Sequence, residues 1–296
     1  MALDSFRETK LPHEVELPLR SVGRKLSGLG RNQFISDSLY RASMHLMKRK
    51  GKLIRPALVL LGAYLIGERP ERFRDLAMSA ELLHISSLIH DDIIDKDVSR
   101  RGVEAVHVKY GSEAAILAGD ALISMAIGTS AKYGERVIGR MSASAMEMCA
   151  GEMLDYGFQK DRRRPGVKEY EAIARLKSAS LIATCCSIAA VYKKHRLALK
   201  LEEFGGHIGI AFQMRDDILE YAGAPGSRGG SMERKGFRPN IIAVLKSTCL
   251  LDTDGAIRMA VELQQKHMDA ATECLAGERS CKLLIHYANR IRLELQ

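Results

Sequence analysis

"PERFRDLAMSAELLHISSLIHDDIID", residues 70–95, carries apolar side chains at three- and four-residue spacing along most of its length. That period marks a helix with one buried face, because residues three and four apart lie on the same side. The stretch is too long for a strand and ends on three aspartates, Asp91, Asp92 and Asp95. Neighbours on a helix are separated by about 100°, so Asp91 and Asp95 project together while Asp92 points to one side. The spacing therefore predicts a long, mostly apolar helix that delivers a pair of carboxylates from its last turn.

The same period recurs outward from this segment, in 34–52, 55–67, 112–134, 141–158, 167–193, 201–223 and two further stretches toward the C-terminus. Pro56 falls just inside the 55–67 helix, where its missing N–H costs nothing. The loops fall at 67–73, 99–111, 160–166 and 223–239, and no segment alternates long enough to demand a sheet. The pattern predicts an all-α fold, a single-domain helical bundle over 1–296 in which residues 1–30 contribute little to the functional reading.

A composition of 46% hydrophobic and 27% charged residues suits a folded chain with a substantial core. The net charge of +9 fits nucleic acid, an anionic membrane or a phosphorylated small molecule, and does not choose among them. Six cysteines show no C-x-x-C pair, so neither a zinc site nor a disulfide framework is expected, and the thiols read as reduced core residues of a cytoplasmic protein. The N-terminus is charged from the start, and apolar runs such as 57–67 are too short to cross a bilayer, so no signal core or transmembrane segment is expected.

A second acidic patch stands in "FQMRDDILEY", 212–221, where Asp216 and Glu220 share a helix face with Gln213 and Asp217 flanks them. Carboxylates at this spacing repel unless a cation intervenes. Hard oxygen donors with room for water suit Mg2+, which takes one or two carboxylates together with phosphate oxygens. Cations stand near both patches. Arg100 and Arg101 follow the first, and arginine offers a paired N–H fork to phosphate. Lys52 and Arg55 lie three apart at a helix start, where exposed N–H groups also favour anions. His84 is two turns before Asp91 on the same face, and Lys177 is a lone charge in an apolar helix. The acids point to bound metal, and the bases to a diphosphate.

At this point the chain resembles the trans-isoprenyl diphosphate synthases, the family of farnesyl, geranylgeranyl and longer polyprenyl diphosphate synthases. The resemblance runs from about residue 50 to 245 and rests, in order, on "GKLIRP" (51–56), "LLHISSLIHDDIIDKDVSRRG" (82–102), "VHVKYG" (106–111), "AILAGDALI" (115–123), "CAGE" (149–152), "LKSASL" (176–181) and "FGGHIGIAFQMRDDILEY" (204–221). It implies an isoprenoid-synthase bundle around a deep apolar cavity, usually a homodimer, with a heteromer also open. It implies catalytic roles for Asp91, Asp92, Asp95, Lys177, Asp216 and Asp217, and Mg2+, three ions per site, on Asp91, Asp95, Asp216 and Glu220. Lys52, Arg55, His84 and Arg101 would bind isopentenyl diphosphate, and Arg100, Lys177, Ser178, Gln213 and Lys235 the allylic diphosphate. Ionisation of the allylic C–O bond, eased by metal and cations, would be followed by attack of the isopentenyl double bond in a water-excluding pocket.

Product length in such enzymes depends on bulk beneath the first acidic motif, here Ala80, Leu83, Ser86 and Ser87. Two serines where a farnesyl-specific enzyme has an aromatic ring imply products of geranylgeranyl length, C20, or longer. The chain departs from the family pattern at Lys50, Leu53, Arg215, Glu220 and in the 231–239 loop, which keeps Lys235 and Pro239 without the usual Asp and Thr. A helix can point Arg215 outward. These departures leave a second reading open, a helper subunit that works only beside an active partner. A basic polyanion-binding protein is the remoter one, predicting salt-sensitive binding without Mg2+, and nucleic acid is not the expected partner. A terpene cyclase handles one diphosphate and has no need of Lys52, Arg55 and His84.

Overall fold

The 70–95 stretch folds as a 3-10 turn over Pro70–Phe73 running straight into a 21-residue helix, Arg74–Ile94. The computed structural model describes residues 11–49, 51–222 and 239–289. In chain order the helices are α1 (His13–Ser27), α2 (Asp37–Met47), α3 (Ile54–Leu65), α4 (Arg74–Ile94), α5 (Val106–Tyr110), α6 (Ser112–Ser130) and α7 (Glu135–Lys160). They continue as α8 (Val167–Ala174), α9 (Ser180–Tyr192), α10 (Ala198–Tyr221), α11 (Ile241–Thr248), α12 (Thr253–Cys274) and α13 (Lys282–Ala288). The all-α expectation holds.

Several local features differ from the sequence reading: α1 lies outside the expected helices, and α5 falls within the stretch expected as a loop at 99–111. The 99–104 loop is a two-stranded antiparallel hairpin, β1 (Ser99–Arg100) with β2 (Val103–Glu104). Its two turn residues, Arg101 and Gly102, have φ of 52° and 75°, the primed turn whose twist matches that of the strands. The helix expected over 167–193 is interrupted by a π-helical turn at Arg175–Ala179, between α8 and α9.

The described residues fall into two compact units, one within 10–142 and 188–195, the other within 143–187 and from 196 on. In the first, α4 lies along α6 and against α3, and α1 packs on both α3 and α4. Leu76, Leu82 and Ile89 of α4 are fully buried. The hydroxyl of Ser79 donates to the carbonyl of Ala126 at 2.6 Å, fixing α4 to α6. The end of α9 joins this unit through Tyr192, whose ring meets those of Phe73 and Tyr133 at 5.9 and 5.4 Å.

In the second unit α10 lies along α12, with α11 packed on both. Their shared core holds Ile210, Met214 and Ile218 of α10, Ile241, Val244 and Leu245 of α11, and Ala256 and Ala260 of α12. Side-chain caps start α11 and α12: Asn240 accepts from the backbone N–H of Ile242 at 2.9 Å and Asp252 from that of Gly255 at 2.7 Å.

Among the described residues two helical stretches, 112–133 and 167–192, are long and apolar enough to cross a membrane by length and composition alone, a test that the core helix of a soluble protein also passes. The second is 72% buried over its most apolar window, as a core helix is; the first is only 33% buried. That first stretch contains α6, which exposes Ile116, Leu117 and Ile127.

Candidate active site

Asp91 and Asp95 stand on the last turn of α4, stacked by the hydrogen bond from the Asp95 N–H to the Asp91 carbonyl at 2.8 Å. Both are half-buried. A helix C-terminus already carries partial negative charge, so two carboxylates there are favoured only beside a cation. Asp92 faces the other way and is fully buried. Its Oδ1 accepts from Arg100, from Nε at 2.7 Å and from Nη2, and the same Nη2 donates to Asp97 at 3.1 Å. Arg100 is therefore gripped by Asp92 and Asp97, both within this unit.

The bases of the first unit lie at element starts and turns. Lys52 and Arg55 flank Leu53, whose φ of 52° turns the chain into α3, and no side chain caps that helix. Its first-turn N–H groups suit an anion. Arg101 is at the hairpin tip, with Nη2 3.7 Å from the Oε1 of Glu81. Glu81 is buried in the middle of α4, and burial raises its pKa although Arg101 and Arg55 oppose the rise. His84 is half-buried one turn further on. Ala80, Leu83 and Ser86 are buried beneath the first motif, while Ser87 is half-buried and donates its hydroxyl to the His84 carbonyl at 2.9 Å.

In the second unit, Asp216 is exposed and Glu220 and Gln213 are half-buried near the end of α10. Asp217 is buried and holds three elements together. Its Oδ2 accepts from the Tyr170 hydroxyl of α8 at 2.7 Å and the Ile241 N–H of α11 at 2.9 Å; its Oδ1 accepts from Gln213 at 2.8 Å. Burial pushes its pKa up to about 7 against those hydrogen bonds. Arg215, which the sequence allowed to point outward, is buried at 3% exposure, with Nη1 3.9 Å from Asp216. Burial lowers its pKa.

The π-helical turn carries Lys177 and Ser178. Lys177 bridges Glu152 and Asp155 of α7, both at 2.6 Å, and Ser178 donates to the Gln213 side-chain carbonyl at 2.6 Å. The turn packs directly on α7: a Cβ added to Gly151 would stand 2.3 Å from the Lys177 backbone nitrogen. Lys177, Ser178 and Gln213, assigned to one diphosphate from the sequence, thus share the second unit. Lys52, Arg55, His84, Arg100 and Arg101 share the first, and Lys50, Lys235 and the 231–238 loop lie outside the described residues.

Three acids escaped the sequence reading. Glu81 was legible as a charge inside the apolar stripe of α4, and Glu152 and Asp155 as a pair three apart in "GEMLD". Among the described residues no group of three or more His, Cys, Asp or Glu side chains is placed to hold a metal by itself. The donors at each patch are carboxylate oxygens in pairs. This set fits a hard ion such as Mg2+, which takes one or two carboxylates and completes its shell with water and phosphate.

The sequence pattern of the polyprenyl synthetase family matches residues 36–233, a span that runs through both units. Geranylgeranyl diphosphate synthase of Methanosarcina mazei is 34% identical over 264 residues, which cover 85% of this chain and 81% of that protein. Geranylfarnesyl diphosphate synthase of the same organism is 32% identical over 239 residues, covering 80% of this chain and 78% of its own. Among solved structures, geranylgeranyl pyrophosphate synthetase of Geoglobus acetivorans superposes with a TM-score of 0.82 at 26% identity, covering 95% of this chain and 98% of the other.

Proposed function

Because this chain belongs to the polyprenyl synthetase family, we propose that it is a trans-prenyltransferase that joins isopentenyl diphosphate to an allylic diphosphate, giving a product of C20 or longer. The observation that carries the reading is the matched design of α4 and α10: each ends a mostly buried helix on two acids four apart. The relatives named geranylgeranyl and geranylfarnesyl diphosphate synthase support the product class.

In this reading Asp91 and Asp95 hold Mg2+ in the first unit, and Asp216 and Glu220 in the second, with three ions per site. Bound there, the ions would take up negative charge from the departing diphosphate. Lys177, held by Glu152 and Asp155, and Ser178, held by Gln213, donate to the allylic diphosphate as its C–O bond breaks and the electron pair leaves on oxygen. Lys52, Arg55, His84 and Arg101 hold isopentenyl diphosphate, whose double bond attacks the allylic carbon. The released diphosphate takes the proton that restores the alkene. Arg100 holds Asp92 and Asp97 through Nε and Nη2, and Nη1 is the nitrogen it would turn to the allylic diphosphate. Lys235 would bind the allylic diphosphate.

The exposed apolar face of α6 supports a homodimer, since Ile116, Leu117 and Ile127 offer a second copy the surface that a lone helix leaves in water. All six cysteines are free thiols, which supports a cytoplasmic setting.

The test is to incubate the purified chain with Mg2+, labelled isopentenyl diphosphate and, separately, dimethylallyl, geranyl and farnesyl diphosphates, resolving products by length. Products of C20 or longer are expected. Folded protein that makes none from any starter would overturn the reading in favour of the helper subunit.

A further inference from the structure

We propose that Glu81 is a positioning residue, whose buried carboxylate fixes the Arg101 guanidinium in the attitude that receives the diphosphate of isopentenyl diphosphate. The proposal rests on the function given above and adds to it a residue that never touches substrate.

Glu81 is 3% exposed in the middle of α4. Its helix neighbours Ala77 and Ile85, one turn to either side, are buried and apolar, as are Ala80 and Leu82 beside it. An acid in that setting costs stability unless a cation compensates it, and an apolar residue would serve the packing better. The cation is Arg101, 3.7 Å away, with Arg55 also acting on the same carboxyl. These are two of the four residues assigned to isopentenyl diphosphate.

Arg101 is restrained at its backbone as well. Its backbone sits at φ 52°, a left-handed conformation that a non-glycine residue adopts only when its surroundings hold it there. Its guanidinium also sits face-on to the space that Gly51 leaves open by having no side chain. A Cβ at that position would be 3.2 Å from Nη1 and 3.3 Å from both Cζ and Nη2. A long side chain is thereby held before any ligand arrives, by the hairpin turn and Glu81, in space that a side chain at position 51 would crowd. Glu81 pairs with one guanidinium nitrogen, Nη2, at 3.7 Å, and leaves the remaining N–H groups for a phosphate.

Two effects of removing Glu81 oppose each other. Losing its negative charge strengthens the general attraction of the site for a dianion or trianion. Losing its grip lets Arg101 wander, and a diphosphate is read by paired N–H groups in a defined geometry. Geometry wins, because a donor displaced by about 1 Å costs about 100-fold while the added attraction is damped by solvent and salt.

The experiment compares wild type, Glu81→Gln, Glu81→Asp and Gly51→Ala. KM is measured for isopentenyl diphosphate and for the allylic substrate, with equilibrium binding of isopentenyl diphosphate alone as a second readout. Glu81→Gln is expected to raise the isopentenyl KM and Kd about tenfold and to leave the allylic KM within about twofold. Glu81→Asp should recover part of the loss. Gly51→Ala, whose added Cβ crowds the guanidinium, should raise the isopentenyl KM about threefold. Both KM values rising together, or an isopentenyl KM and Kd unchanged or lowered in folded Glu81→Gln, would overturn the proposal. Should Glu81→Gln fail to fold, an unchanged isopentenyl KM in Gly51→Ala would overturn it. A wild type that elongates nothing would sink the proposed function instead, and the Kd comparison would still judge Glu81.

Discussion

Asp216 and Asp217 are adjacent in the chain, and their surroundings differ: one is half exposed and the other buried. Asp217 accepts from Tyr170, Ile241 and Gln213, so Asp217→Ala leaves three donors short of an acceptor. It should lower stability by about 3 kcal/mol, read by chemical denaturation, because each buried orphan costs about 1–3 kcal/mol. Asp216 is 48% exposed. Asp216→Ala should change stability by no more than about 0.5 kcal/mol and cut the elongation rate about 1000-fold. A large stability loss in Asp216→Ala, or none in Asp217→Ala, would reverse the assignment. Ser86, buried beneath the first motif, gives the product-length prediction: Ser86→Phe should shift the main product below C20 in a chromatographic assay. At this scale the helical 100° step separated each flanking aspartate from its pair. It could not say that Asp92 would turn inward onto Arg100, eight residues on and brought back by a hairpin the spacing did not reveal, or Asp217 onto Tyr170, 47 residues away.

At the scale of elements, the apolar period placed most helices within a few residues, because burial on one face is written directly into the spacing. It missed the π-helical turn at Arg175–Ala179 and the hairpin at 99–104. A π turn adds one residue to a helical repeat without changing which residues are apolar, so "IARLKSASL" reads as continuous helix. The hairpin strands are two residues each, below what alternation can reveal, and Arg101 supplies a positive φ that the sequence does not advertise. The turn at Lys177 depends on close approach: Gly151 admits the Lys177 backbone and Gly209 admits Ala179, each of which a Cβ would meet at 2.3 Å. Gly151→Ala should therefore displace Lys177 and lower kcat about 100-fold, with the isopentenyl Kd unaltered because that site lies in the other unit. Unchanged kcat would show that the position of the π turn does not matter to the reaction.

On the scale of the whole molecule, charge and assembly give two further expectations. In the second unit Glu278 accepts from Arg196 at 2.7 and 2.8 Å and from Lys200 at 3.2 Å. These bonds lower its pKa from 4.5 to about 2. A carboxylate depressed on folding stabilises the protein above its unfolded pKa and loses that contribution as pH falls through the folded one. Wild type should thus melt above Glu278→Gln at pH 6, and the gap should close as pH falls from 4.5 to about 2; a gap independent of pH would contradict the assignment. For assembly, Leu117 is 59% exposed on α6. In the proposed homodimer, wild type should scatter light as a dimer and Leu117→Lys as a monomer; a monomeric wild type would overturn the homodimer, and a dimeric Leu117→Lys would move the interface elsewhere.

The most direct test of the account compares elongation of farnesyl diphosphate by wild type with Mg2+, by wild type with a chelator, and by Asp91→Ala with Mg2+. The account predicts turnover that the chelator abolishes and added Mg2+ restores. It also predicts a loss of about 1000-fold in a folded Asp91→Ala. Full activity in Asp91→Ala, or turnover indifferent to the chelator, would contradict it.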